Sequence, residues 1–257
     1  MNHLLLIVVT LVVTVGLSTQ APRETPRATT PRVVDLGHAI RATDPSWDAK
    51  PPYDRTVVAT IEKNGYTGGR ITIDEHFGTH VDAPAHFAKG GWTVDQIPVE
   101  RLRRPGVRID VSKQAAADAD YRVTVADIKA FEAAHGAIPS DTIVLIATGW
   151  DRFWSDRARY MNDKNGVKHF PGLTAEASTY LARDRHVAAI GIDTPSVDYG
   201  PSTTFDAHHA SMALNVYHIE NAARLTTLPA TGFEVVVAPI NIAGGSGGPA
   251  RVFAYLK

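Results

Sequence analysis

Four side chains with chemistry to offer fall inside the eleven-residue stretch HFGTHVDAPAH (76–86): His76, His80, Asp82 and His86. Neutral imidazole and carboxylate are the ligands that a hard-to-borderline divalent metal takes. The chain has no cysteine, so thiolate ligands, disulfides and a Cys nucleophile are excluded together. Hydrolytic chemistry must then come from oxygen, imidazole or metal-activated water. A metal site is the first reading, set against a polar loop carrying three unrelated histidines. His76, His80 and Asp82 alone would form a three-ligand site with open positions, which suffices for hydrolysis.

Spacing dictates how the chain must run. On a continuous strand His76 and His80 would stand ~13 Å apart, too far to share an ion. A helix would bring them together, but Gly78-Thr79 and the preceding Ile71-Thr72-Ile73 argue against one. The remaining geometry is a strand that bends at Gly78, with Pro84 stiffening the exit so that His86 is held in place. The other clusters of His with acid are Asp206-Ala207-His208-His209 and His218-Ile219-Glu220. On one straight helix His208 and Glu220 would lie ~18 Å apart, so they can meet at an ion only if the chain turns between them. The poor helix segment Asn215-Val216-Tyr217 permits that turn. Asp193 and Asp198 are either acids behind the metal ligands or Asx-turn formers.

The elements that must position these groups read as α/β. Residues 33–40 begin as a strand, and 43–53 follow as a Pro-rich loop. Trp47 on that loop is equally readable as a packing lid or as the flat wall of a substrate pocket. Residues 56–61 and 69–73 have strand-like β-branched density, with Asn64-Gly65 as the turn between them. Residues 124–135 predict a helix with Thr124 as N-cap, Asp127 at N3 and Gly136 past the end. Residues 141–148 predict a buried strand ending at Gly149-Trp150-Asp151. A second helix is expected over 174–183 and a second buried strand over 187–192. Residues 162–166 read as a plain turn. The Gly-rich run 244–249 reads as a tight turn between strands 234–240 and 251–255.

At 257 residues the chain suits one sizeable α/β domain, or at most two small ones. With 44% hydrophobic and 21% charged residues it is ordinary globular material. A formal net charge of -1 and the lack of a basic stripe speak against a nucleic-acid partner. Residues 4–17 (LLLIVVTLVVTVGL) have the length of a signal-peptide core, short of a bilayer span. Residues 1–21 are therefore read as a signal peptide or an uncleaved N-terminal anchor, which makes the protein exported, periplasmic or secreted. Residues 22–32 read as a disordered Pro/Thr/Arg linker, and 33–257 as the folded domain, with no membrane role of its own.

The pattern His76-x-Gly78-Thr79-His80-x-Asp82-x-Pro84-x-His86 resembles the HxGTHxDxPxH signature of metal-dependent cyclase-like hydrolases, the family that includes bacterial kynurenine formamidase and isatin hydrolase. The resemblance continues through Asp35-Leu36, Thr148-Gly149-Trp150, Gly191-Ile192-Asp193-Thr194 and His208 to Glu220, covering residue 33 to the C-terminus. It implies a single α/β domain with a mixed sheet or barrel-like β core flanked by helices, of the swivelling β/β/α type. It further implies that His76, His80 and Asp82 bind one metal and that Asp82 bridges to a second held by His208 and Glu220. His86 would be the catalytic acid/base, Trp47 a substrate contact, and the cofactor one or two ions of Zn2+ or Mn2+. A homodimer or larger oligomer is expected on the same ground.

The reaction expected is hydrolysis of an amide-type C–N bond in a small molecule by metal-bound hydroxide. Candidate substrates are an aryl formamide such as N-formylkynurenine or a small cyclic amide such as isatin. The export signal departs from the cytoplasmic setting of tryptophan breakdown, which keeps cyclic ester or lactone hydrolysis as an alternative. A non-catalytic exported metal or ligand binder is the rival from another class, and it would have no use for an unliganded His86. A serine hydrolase is disfavoured: Gly-x-Ser-x-Gly around Ser246 is followed by Pro249 and a strand, and no His lies after Ser246.

Overall fold

The structure, a computed structural model, describes residues 32–48 and 50–256. The segment 1–21 and the linker 22–32, apart from Arg32, lie outside the described residues. In chain order come β1 (Arg32–Asp35), β2 (Tyr53–Ala59), α1 (Ile61–Asn64), β3 (Gly68–Ile73), β4 (His80–Asp82), β5 (Arg103–Asp110), α2 (Ser112–Ala117), β6 (Arg122–Val123) and α3 (Val125–His135). They are followed by β7 (Ile143–Ala147), α4 (Arg157–Met161), β8 (Gly172–Leu173), α5 (Ala175–Thr179), β9 (Ala189–Ile192), α6 (Asp206–Met212), β10 (Tyr217–Glu220), β11 (Phe233–Pro239) and β12 (Gly247–Leu256).

Seven strands close into a barrel in the order β12-β11-β5-β7-β9-β10-β4, with β4 pairing back onto β12; β1 adds to the outside of β12. The run β5-β7-β9-β10 is parallel and the remaining pairings are antiparallel. The core is thus a mixed α/β single domain built on a closed barrel. Closure leaves the seven strands without a free edge among themselves.

Strand alternation divides the side chains between two faces. Val81, Leu145, Ile219, Val235, Val237 and Val252 fill the barrel with their neighbours. On the outer face Val144, Ile146, Ile190 and Ile192 pack against Ile128 of α3, Ala177 of α5 and Ala207 of α6. β7 is buried on both faces, which is why IVLIA carries no polar alternation. Each such fully buried aliphatic side chain contributes about 1.5–3 kcal/mol.

α3 starts as expected, on a reciprocal capping box between Thr124 and Asp127, and stops at Gly136. Other boundaries differ from the sequence reading. β1 ends at Asp35, well before residue 40. The turn expected at Asn64-Gly65 is a single helical turn, α1, with Gly65 left-handed at its C-cap. α5 continues as a π turn over Tyr180–Asp184, so 174–183 is not one regular helix. β5 was not foreseen, because Arg-Arg-Pro-Gly at its start hides the alternation. The Gly-rich run is not simply a turn: Gly247–Pro249 are the first residues of β12 and pair with β4, the pairing that closes the barrel. The β2–β3 hairpin forms its own two-stranded sheet and leaves Val57, Val58, Ile61, Tyr66 and Ile71 exposed. Among the described residues no helix is long and apolar enough to cross a membrane.

Candidate metal centre and active site

β4 and β10 lie side by side, antiparallel, with His218 opposite Asp82 and Glu220 opposite His80. Val81 and Ile219 point into the barrel, so the period of two turns His80, Asp82, His218 and Glu220 to the outer face. There they meet His208 of α6. The turn permitted by the sequence between His208 and Glu220 is made at Asn215, whose φ is 56°, as α6 gives way to β10.

His76 arrives from the other direction. β3 ends at Ile73 and the chain turns before β4, with Gly78 at φ 70°, a left-handed conformation that suits glycine. The bend places the His76 and His80 rings 5.4 Å apart, edge to face. Asp82 joins both halves of the cluster. Its Oδ1 lies 2.5 Å from His76 Nδ1 and 3.0 Å from His80 Nε2, and its Oδ2 lies 3.3 Å from His208 Nε2. Glu220 stands 3.2 Å from His208 Nε2 and 3.7 Å from His80 Nε2. The five residues proposed as ligands are therefore in one place.

Each inward nitrogen is aimed by a partner on the far side of its ring. His80 Nδ1 donates to the Gly78 carbonyl (2.9 Å), which Asn221 Nδ2 also holds (2.9 Å). His208 Nδ1 pairs with Asp198 at 2.6 Å, and Asp198 also accepts from the backbone N–H groups of Ala207 and His208. Asp198 is thus an acid behind a candidate ligand. Asp193 instead accepts from Thr148 and Gly149, tying the ends of β7 and β9. His76 Nε2 meets Ser246 Oγ at 2.9 Å, and Ser246 donates to Glu75 at 2.6 Å. A Cβ on Gly247, which pairs with Asp82, would come 2.6 Å from the His76 ring and 2.5 Å from the Val81 carbonyl, so β12 can close on the site only with glycine there.

The electrostatics follow from burial and crowding. Burial opposes the charge on Asp82, yet His80, His208 and His76 outweigh it and hold the carboxyl well below its usual range. Burial would lower His80, but Asp82 and Glu220 push it up to about 9. Glu220 is raised, by burial first and then by the Asp82 charge. Two buried carboxylates side by side call for positive charge between them. The donor chemistry fits a divalent ion: single ligand atoms from His76, His80 and Asp82 lie within 4.8 Å of one another, as do those from Asp82, His208, His218 and Glu220.

His86 follows β4 on a 3-10 turn begun by Pro84. Its ring stacks on His76 at 3.9 Å and stands 6.4 Å from His208. The ring is exposed at the mouth of the site. Even so, the protein packed beneath it and the imidazoles of His76, His208 and His80 hold its pKa down to about 4. The groups open onto a cavity of about 230 Å³ whose wall includes Trp47, Phe87, Tyr160 and Phe205. Trp47 is partly exposed and packs near Phe170 and Phe205, with the Lys168 ammonium 4.5 Å over its ring. It is both a packed residue and a cavity wall.

The sequence reading named His218 only as part of the His218-Ile219-Glu220 cluster and Ser246 only as a disfavoured nucleophile, and it did not single out Asn221 or the aromatic wall of Phe87 and Phe205. His218 could have been found by reading 217–220 as a strand, since residues two apart share a face. Ser246 carried no local signal: it reaches His76 across 170 positions.

Known proteins resemble this chain in sequence and in fold. The Cyclase family model matches residues 34–199. Isatin hydrolase of Roseibium aggregatum is 37% identical over 195 residues, 72% of this chain and 73% of that protein. Kynurenine formamidase of Salinibacter ruber is 24% identical over 227 residues, 85% of this chain and 95% of the other. Among solved structures, isatin hydrolase A from Ralstonia solanacearum superposes with a TM-score of 0.83 at 31% identity, covering 88% of this chain and 92% of that one.

Proposed function

The chain belongs to the Cyclase family and is a metal-dependent hydrolase, and on that premise we propose that it opens the C–N bond of a small cyclic amide fused to an aromatic ring, of the isatin type. The observation that carries this reading is the aromatic wall of Trp47, Phe87 and Phe205 standing over the His/Asp/Glu cluster in a cavity of about 230 Å³. That volume is below the roughly 300–1,000 Å³ usual for drug-sized ligands, and flat walls favour a flat substrate.

His76, His80 and Asp82 would hold one divalent ion, and Asp82, His208 and Glu220 a second. The chemistry such ions supply when bound is Lewis acidity, which acidifies water and polarises a carbonyl. Nitrogen and oxygen donors without sulfur suit Zn2+ or Mn2+. The chain's own residues do the rest. Trp47 and Phe205 hold the ring of the substrate and shield the site from bulk water. His86 takes the proton of the attacking water and returns it to the leaving nitrogen. Ser246, Asp198 and the Gly78 carbonyl keep the three ligand imidazoles from turning away.

Aryl formamides are the second reading, supported by the likeness to kynurenine formamidases along 85% of the chain. The test is a substrate panel of isatin, N-formylkynurenine, cyclic imides and lactones, run on metal-loaded and chelator-treated protein. Turnover is expected to be highest on isatin and to vanish with chelation; His80→Ala and Asp82→Asn should lose metal by elemental analysis. Equal rates with and without chelator, or no turnover on any amide, would overturn the reading.

A further inference from the structure

β10 carries a histidine on the face that presents Glu220. His218 sits opposite Asp82 in the strand register and is fully buried. Its ring centre is 4.8 Å from that of His208. One of its nitrogens is committed: Nε2 lies 2.7 Å from Ser211 Oγ. The Ser211 hydroxyl also reaches the Ala207 carbonyl at 3.1 Å. With its proton directed there it accepts from Nε2, and the lone pair of the His218 ring is then on Nδ1, as a ligand role for that atom requires. That Nδ1 is buried and has no hydrogen-bond partner, a costly state for an acceptor.

What lies near His218 cannot satisfy a lone pair with another lone pair. Ligand atoms of Asp82, His208, Glu220 and His218 all lie within 4.8 Å of one another. The hydrogen of His208 Nδ1 is engaged with Asp198, which leaves His208 Nε2 as a second inward acceptor. Two imidazoles and two carboxylates converging this closely are a donor set that a divalent ion would satisfy.

We propose that His218, through Nδ1, is a ligand of the divalent ion held by Asp82, His208 and Glu220. The assignment rests on the two-ion reading given above and deepens it. With His218 that ion has two nitrogens and two oxygens from the chain, a closed donor set. The ion of His76, His80 and Asp82 has three and keeps a position open. His86 stacks on His76 and stands farther from His208, so the acid/base lies on the open side. On this assignment His218 would help to fix Asp82 from the side away from the substrate, and the His76, His80 and Asp82 side would be the one that faces it.

The test uses the full chain, stripped with chelator and titrated with Zn2+ by calorimetry and with Co2+ by visible absorption. Wild type is compared with His218→Gln, which keeps a polar group near Ser211 but no donor at the Nδ1 position, and with His218→Asn, which restores an oxygen there. The expected result is two ions in wild type. One of them should be weakened by at least about 10–100-fold in His218→Gln and substantially recovered in His218→Asn, where its Co2+ spectrum shifts as oxygen replaces nitrogen. Two ions bound by His218→Gln with wild-type affinity overturn this assignment alone. Equal loss in both variants marks a packing role and also overturns it. Uptake of fewer than two ions by wild type overturns the two-ion reading and this assignment together.

Discussion

His86 and His76 stack face to face at 3.9 Å, yet they are placed for different work. His76 is pinned at both nitrogens, by Asp82 and Ser246. His86 lies at the mouth of the cavity on a turn rigidified by Pro84, free of such ties. A group that must take a proton and pass it on needs that freedom, whereas a ligand needs the opposite. His86→Ala is therefore expected to keep its metal content by elemental analysis while kcat falls by about 10²–10⁴-fold. A variant that turns over at the wild-type rate would remove His86 from the reaction. The residue types near 76–86 made this division legible in part, since four ligand-type groups were visible for one three-ligand site. Which of them stays free is what the resemblance implies.

At the level of elements, the site is a seam between strands, with β4 held by β10 on one side and β12 on the other. The seam tolerates no side chain at Gly247. Gly247→Ala is expected to push His76 off Asp82 and weaken metal binding by about tenfold or more, in keeping with the effect of losing a group that orients a ligand. Calorimetric titration would show it, and unchanged affinity would mean that β12 can shift without disturbing His76. The seam also shows where sequence reading succeeds and fails. α3 was legible to its caps because Thr124, Asp127 and Gly136 act within one turn of the helix. The bend at Gly78 was legible because a strand would hold His76 and His80 too far apart, while Gly78-Thr79 and the preceding Ile71-Thr72-Ile73 argue against the helix that would join them. β12 was misread at its start because glycines in a row carry no alternation, and their pairing with β4 is decided by residues far away in sequence. β10 was passed over for a related reason: its two polar side chains face a buried site, so the strand does not look half apolar and half wet.

For the molecule as a whole, Asp82 and Glu220 place like charge inside the protein, an arrangement an ion stabilises by binding only the folded chain. Ligand at a thousandfold excess over Kd stabilises by about 4 kcal/mol. A domain of this size gains roughly 2–4 °C per kcal/mol, so metal-loaded protein is expected to melt on the order of 10 °C above chelator-treated protein in a calorimetric scan. Identical melting temperatures would show that the cluster holds no ion tightly. Barrel closure sets a further condition, one of timing. Both neighbours of β4 are made long after it, and 170 positions separate His76 from Ser246. Until Gly247–Pro249 have been synthesised and have paired with His80–Asp82, the barrel is open and His76 lacks its Ser246 partner. On the proposed reading an ion would enter late, in whatever compartment folding finishes, and the free metal there would help to decide which ion is held, alongside the affinity order of the donors.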